Sequence, residues 1–200
     1  MTTARDLALV VLGRPADRPV EQGDLSLVLA GAEAIDLLEI GTLTLDGDRV
    51  VPGPRVATGD RLLDEAAASL AGHGPHETIE DWLWRRGRNL AAAYVDDLHR
   101  TGLFTRPRRH GLRFWAGQSL LADSPERARA EERRASGERV LHALMGAAGM
   151  GGAPEEAREA PTGDAITKVL AAAGDAVTHL EALRLRRDVE SAAFDNVWRG

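Results

Sequence analysis

The sequence predicts a mainly α-helical chain: a single helical domain over residues 1–200 with two small β-hairpins. Three observations predict it. Apolar residues recur at three- and four-residue spacing in several long segments, which is the period of one helix face. Extended stretches flanking turn residues occur in only two short places. No alternating β-α register is visible, and neither a GxGxxG nor a GxxxxGKS/T run occurs, which disfavours a doubly wound nucleotide-binding sheet.

Leu7 to Leu12 reads as a short buried strand or a first helical turn, closed by the turn-rich stretch Gly13 to Gly23. Asp24 is placed to cap a helix on which Leu25, Val28, Ala32, Ile35 and Leu38 share a face, and Gly41 stands where a left-handed terminator belongs. Thr42 to Leu45, the turn pair Asp46-Gly47, and Arg49 to Val51 form a hairpin pattern. Leu62, Leu63, Ala66 and Leu70 mark another helix. Thr78 with Asp81 is a capping box opening a segment with Ile79, Trp82 and Leu83 on one side. Leu90, Tyr94 and Leu98 lie one above the next, and Gly102 ends that helix.

The second hairpin is expected from Leu103–Thr105 and Leu112–Trp115, joined by the basic loop Arg106 to Gly111. Ser124-Pro125-Glu126 starts one long helix that begins polar and ends apolar at Val140, Leu141, Leu144 and Met145. Gly149 to Gly163 reads as a loop. A last helix runs from about Ala165 to Ala193, carrying Ile166, Val169, Leu170, Val177, Leu180 and Leu183.

Composition narrows the function classes. The formal charge is −6, with 31 acids against 25 bases, which argues against indiscriminate coating of nucleic acid. Placement matters more than the sum. From Trp82 to Ala122 there are eight arginines and two aspartates, a net +6 that leaves −12 on the rest. The molecule reads as an acidic body with a basic belt. Without cysteine there is no disulfide framework, thiolate metal site or cysteine nucleophile, and a reducing, cytoplasmic location is the default expectation. No apolar h-region or 18-residue apolar run occurs, so neither a signal peptide nor a spanning helix is expected.

Candidate sites follow from the belt. In the hairpin Thr105 to Trp115, Arg108, Arg109 and Arg113 have the fork geometry that matches phosphate, while Leu112, Phe114 and Trp115 can enter an interfacial layer. The plain alternative is a solvated turn whose aromatic residues tuck into the core. Arg85 and Arg88, with Arg86, extend the positive surface from the Trp82-Leu-Trp84 segment, or else cap a solvated helix end. Trp82 and Trp84 face differently, so one is expected in the core and the other exposed. His73 and His76 are spaced for a metal, but no third ligand completes the set, and they read as loop residues. Ser69, Ser119 and Ser124 lack a nucleophile-elbow context. No catalytic residue, metal or cofactor is expected, and the protein reads as non-enzymatic.

The order of blocks Leu25–Leu43 (LSLVLAGAEAIDLLEIGTL), Thr58–Leu70 (TGDRLLDEAAASL), Glu77–Leu83 (ETIEDWL) and Leu98–Phe104 (LHRTGLF), followed by a hairpin, resembles the Golgi phosphoprotein 3 family, its actinobacterial members above all. The likeness covers about residues 5–185. The resemblance implies a mainly helical domain that binds the head group of phosphatidylinositol 4-phosphate at a basic pocket and pushes a nearby hairpin into the bilayer. In the family's eukaryotic members that pocket is made by one tryptophan and three arginines. Those positions fall near Glu21 and on Ala30, Arg88 and Ala91, so the second arginine alone is kept.

The sequence therefore leads to a peripheral membrane protein at the inner face of the membrane. Its expected partner is an anionic phospholipid surface, phosphoinositide included; protein cargo and self-association stay open. The alternative is a winged-helix nucleic-acid binder with Leu90 to Leu98 as recognition helix and the basic hairpin as wing. Asp96, Asp97 and Ala91 to Ala93 equip that helix poorly for meeting phosphates.

Overall fold

The computed structural model describes residues 2–13, 20–71, 77–105, 120–121, 123–151 and 163–197; for 105, 120, 121 and 192–197 it describes the backbone alone. Among the described residues there are eight helices and two short antiparallel pairings. The fold is mainly α, as the apolar periodicity predicts.

The centre is α2 (Gln22–Glu39), buried without a break from Asp24 to Leu37. Around it pack α1 (Thr3–Leu12), α3 (Arg61–Ser69), α4 (Ile79–Arg86), α5 (Leu90–Arg100), α7 (Arg139–Ala147) and α8 (Asp164–Val197). A helix covered on all sides has to be apolar all round or must satisfy its polar groups internally. In α2 each buried polar side chain bonds to another element or to its own backbone. Asp24 accepts from Arg184 of α8. Ser26 donates to its own Gln22 carbonyl and accepts from the Ala91 N–H of α5. Glu33 accepts from Arg86 and Tyr94. Asp36 accepts from the Thr3 and Ala4 N–H groups of α1, at 2.8 and 3.0 Å. Gly31 lets α8 approach closely, because a Cβ there would stand 3.1 Å from that of Ala173.

Several helix boundaries differ from the sequence reading. The strand-or-turn segment Leu7 to Leu12 is the second half of α1. The Thr2 side chain and the distant Asp36 carboxylate cap this helix, and Asp36 lies too far along the chain to show in local periodicity. Asp24 does not cap α2; it sits in the first turn, and Glu21 occupies the cap position without a side-chain bond. The single helix expected after Ser124 is two helices, α6 (Pro125–Ala135) and α7. Gly137, at φ 78°, turns the chain between them, and the Glu138 carboxylate caps α7 through the N–H groups of Val140 and Leu141.

The hairpin β1 (Leu43–Asp46) and β2 (Arg49–Pro52) is present, with Gly47 and Asp48 rather than Asp46 and Gly47 at its tip. The capping box of Thr78 and Asp81 forms as expected. In the second pairing, β3 (Phe104–Thr105) meets β4 (Leu120–Leu121). The return strand is thus later in the chain than the expected Leu112 to Trp115, a segment outside the described residues.

Helix α8 has 34 residues, about 50 Å at 1.5 Å per residue. Its first half is anchored by Val169, Ala173, Ala176 and Val177, while Leu185 and Val189 farther along are exposed.

Candidate functional site

The arginines after Trp82 take three different environments. Arg85 forms a fork on Glu77, with Nε 2.6 Å from Oε1 and Nη2 2.9 Å from Oε2, and Nη2 also donates to the Ser69 carbonyl. Arg86 points inward. Its Nε and Nη2 donate to the Glu33 carboxylate at 2.7 and 2.9 Å, and Nη2 reaches the Leu62 carbonyl of α3. Tyr94 Oη donates to the same carboxylate at 3.1 Å. Burial pushes the Glu33 carboxyl up to about 7 against the opposing pull of Arg86 and Tyr94. This group is a structural knot of α2, α3, α4 and α5.

Arg88 is different: it is exposed, and its guanidinium has no hydrogen bond or ion pair among the described residues. It lines an open cavity of about 260 Å³ together with Gln22, Gly23, Ser26, Leu27, Trp84, Gly87, Asn89 and Leu180. Three segments make this cavity: the first turns of α2, the end of α4 with the Gly87–Asn89 turn that follows it, and the middle of α8. Gly87 permits the close approach, since a Cβ there would meet the Leu83 carbonyl at 2.7 Å and Leu27 Cδ2 at 3.3 Å. Asn89 holds a left-handed conformation at φ 58° and opens α5 without a side-chain cap bond. Side-chain amides tolerate this backbone region better than most residues.

The two tryptophans divide as expected in part. Trp82 is fully buried. Trp84 is half-buried, contributes to the cavity wall and meets the His179 ring edge-on at 5.7 Å between centroids. The sequence reading missed Gln22 and Asn89; their side chains belong to the cavity only because three remote segments meet there. Of the positions carried over from the resemblance, Ala30 and Ala91 are buried, and Gln22, next to Glu21, joins Arg88 at the cavity. Arg85 is not part of its lining.

Asp24, the neighbour of Gly23 in the cavity lining, is tied to α8. Arg184 clamps Asp24 through Nη1 at 2.7 and 2.9 Å. Burial raises the Asp24 carboxyl; Arg184 opposes this, while Glu181 and Glu21 add to it electrostatically.

Arg108, Arg109, Leu112, Arg113, Phe114 and Trp115 lie outside the described residues. The β3–β4 pairing fixes both ends of the segment that holds them. Phe104 is buried there against the His99 ring, at 5.1 Å between centroids. His73 and His76 also lie outside the described residues, and among those described no group of three or more His, Asp or Glu is arranged for a metal. Helix α5, the recognition helix of the alternative reading, commits Asp97 to holding the fold together, because its buried carboxylate accepts from Arg5, Arg61 and Arg100 at 3.0, 3.1 and 2.8 Å. Burial works to raise the Asp97 carboxyl, but these three bonds outweigh it and hold it below the usual range. No helix among the described residues is long and apolar enough to cross a membrane.

No curated protein matches the chain at a significant level. The family model described as Golgi phosphoprotein 3 (GPP34) matches residues 4–197. That match runs from the first turn of α1 to the end of α8, through every element that builds the cavity, and the chain belongs to the Golgi phosphoprotein 3 family.

Proposed function

We propose that this protein is a single-domain, non-catalytic peripheral membrane protein that attaches to anionic phospholipid head groups through its basic belt. The observation that carries the reading is membership of the family over nearly the whole chain. What the family resemblance implies, recognition of phosphatidylinositol 4-phosphate at a membrane surface, is the starting point. The charge distribution supports it independently. Of the net +6 between Trp82 and Ala122 within a chain of −6, Glu77 and Glu33 compensate Arg85 and Arg86; the remaining +4 orients the molecule, because the rest is repelled by an anionic bilayer.

The roles divide among the belt residues. Arg88 meets a head group from the cavity, and Arg108, Arg109 and Arg113 contact phosphates. Leu112, Phe114 and Trp115 enter the acyl boundary. Arg85 contributes less, since Glu77 already compensates its charge. Each basic residue near an anionic surface is worth about 1 kcal/mol, so four of them supply ~4 kcal/mol, enough for reversible, salt-sensitive attachment at the inner face of the membrane.

Co-sedimentation with neutral and anionic vesicles tests the reading. Binding to anionic vesicles alone, lost when Arg108, Arg109 and Arg113 become glutamate, is the expected result. Equal binding to both vesicle types, or retention after the charge reversals, refutes it. A gel mobility shift on nucleic acid at low salt that exceeds vesicle binding would favour the winged-helix alternative. Pull-down from detergent-treated lysate addresses protein cargo, and sedimentation velocity addresses self-association.

A further inference from the structure

Arg133, Arg134 and Ala135 lead into Ser136 at the turn between α6 and α7. Among the serines and threonines of the chain, Ser136 alone has arginine both three and two positions ahead of it. Its side chain is exposed, and its hydroxyl donates to the Arg133 carbonyl at 2.8 Å. The same carbonyl accepts from the Glu138 N–H at 3.3 Å, and the Gly137 N–H donates to the Arg134 carbonyl at 3.1 Å, which closes α6 in a Schellman turn. Helix α6 buries Ala130 alone, so its hold on α1 leans on Arg133. The Arg133 guanidinium donates to Asp6 Oδ2 at 3.0 Å and to Thr3 Oγ1 at 3.1 Å, and pairs with Glu138 Oε2 at 3.3 Å. Asp6 is 5% exposed, and its other oxygen has no hydrogen bond among the described residues.

We propose that Ser136 is a phosphoryl-acceptor site for a protein kinase that selects paired arginines, and that its phosphorylation draws Arg133 off Asp6 and frees α6 from α1. Two guanidinium groups just ahead of an exposed hydroxyl complement the acidic subsites of such an enzyme. The last turn of α6 can open to enter them, because helix ends open most readily and residues 131–136 are all at least partly exposed. In the transfer, Ser136 Oγ bonds to the γ-phosphorus of a nucleoside triphosphate while the bond from that phosphorus to the bridging oxygen breaks. The nucleoside diphosphate leaves with the electron pair, and the hydroxyl proton passes to the kinase's carboxylate base. The product has lost the proton that bonded the Arg133 carbonyl. It places about −1.5 to −2 of charge at the negative end of α6, next to the Glu138 carboxylate. Arg133, three residues back on the same helix face, is the cation within reach, and a phosphate dianion outcompetes Asp6 for it. Asp6 is then left buried with neither oxygen paired, which loosens the α1–α6 contact. The inference is separate from the membrane reading, although α6 follows β4 with only residues 122–124 between them, so a released α6 slackens the chain returning from the basic belt.

The experiment uses the full chain, ATP and the catalytic subunit of cyclic-AMP-dependent protein kinase, which takes serines preceded by that arginine pair, with peptide mapping by mass spectrometry. One phosphoryl group on Ser136 is expected, absent from Ser136→Ala. Arg134→Gln should accept it about tenfold more slowly, the loss of one charge-assisted contact to the kinase; Arg134 pairs with Glu131 of its own helix, so this variant keeps the ties to α1. Amide hydrogen exchange in α6 should quicken about tenfold on phosphorylation, while exchange in α2 stays as it was. Asp6→Asn weakens the same tie without phosphate and should quicken α6 exchange in the same direction. Failure of the native chain to take up phosphate at Ser136, although a synthetic peptide of residues 130–139 does, overturns the site. Phosphorylation at Ser136 that leaves α6 exchange unchanged, or that quickens exchange equally in α2, overturns the release of α6.

Discussion

Replacing Arg86 with methionine tests the central knot of the fold directly. In the native protein the Glu33 side chain is 0% exposed and that of Arg86 14%, so their pairing is shielded from solvent. The substitution keeps an unbranched apolar stem and removes two charge-assisted bonds to Glu33 and one to the Leu62 carbonyl. Breaking a buried pair by removing one partner costs about 3–5 kcal/mol. Glu33 can relieve part of this by taking up a proton, because burial already pushes its carboxyl up to about 7 in the presence of Arg86. The cost must therefore depend on pH.

A carboxyl raised from its ordinary 4.5 to about 7 contributes most to stability below its unfolded value and loses that contribution as pH rises through the folded one. Removing Arg86 raises the folded value further, so the variant declines more steeply with pH. Chemical denaturation followed by circular dichroism should give a loss of ~3–4 kcal/mol at about pH 8, shrinking to ~1–2 kcal/mol near pH 5. Glu33→Leu combined with Arg86→Met should be less damaging than Arg86→Met alone, since no charge is then stranded. A loss under ~1 kcal/mol at about pH 8, or a loss that stays constant with pH, would refute the reasoning.

Asp97→Ala releases three guanidinium groups, of which Arg61 and Arg100 are solvated and Arg5 is largely buried. A loss of ~2–3 kcal/mol is expected at neutral pH. Because its carboxyl is held below the usual range, the native advantage should vanish as pH falls through that depressed value, as read by thermal melts in acid. Asp36→Asn keeps one acceptor for the α1 N-terminus and removes a carboxylate that burial pushes up to about 6, against the bonds from Ala4 and Thr3. The variant should lose ~1 kcal/mol near pH 5 and less at about pH 8, where ionising the native group is unfavourable; a gap that widens with pH would contradict this. Gly31→Ala should be close to neutral, because ~1 kcal/mol of helix propensity offsets crowding against Ala173. Gly31→Val has branches with no space to enter and should cost ~1–3 kcal/mol more, measured by denaturant midpoint.

Much of the fold is legible locally. The Thr78–Asp81 box, the Ser124-Pro125 start, the Gly41 and Gly102 terminators and the spacing of Leu90, Tyr94 and Leu98 each act within a few residues. Capping and periodicity depend on neighbours along the chain, so the sequence by itself determines the helical class and most boundaries. The asymmetry of charge is likewise a property of the sequence alone.

Partnership across the chain is decided only by the tertiary structure. Arg85, Arg86 and Arg88 are the same residue type within four positions. One is neutralised by Glu77, one is buried on Glu33, and one lines a cavity without a hydrogen bond or ion pair among the described residues. Asp24 reads as a helix cap but binds Arg184, 160 residues away. Asp97 reads as a charge unsuited to meeting phosphate but gathers three arginines. A charge acquires its meaning from what is packed within a few ångströms of it, because Coulomb energies are large only at short range and away from water. Sequence spacing measures that distance inside one helix. Between helices it does not, and there the fold assigns which cations are spent on structure and which stay exposed.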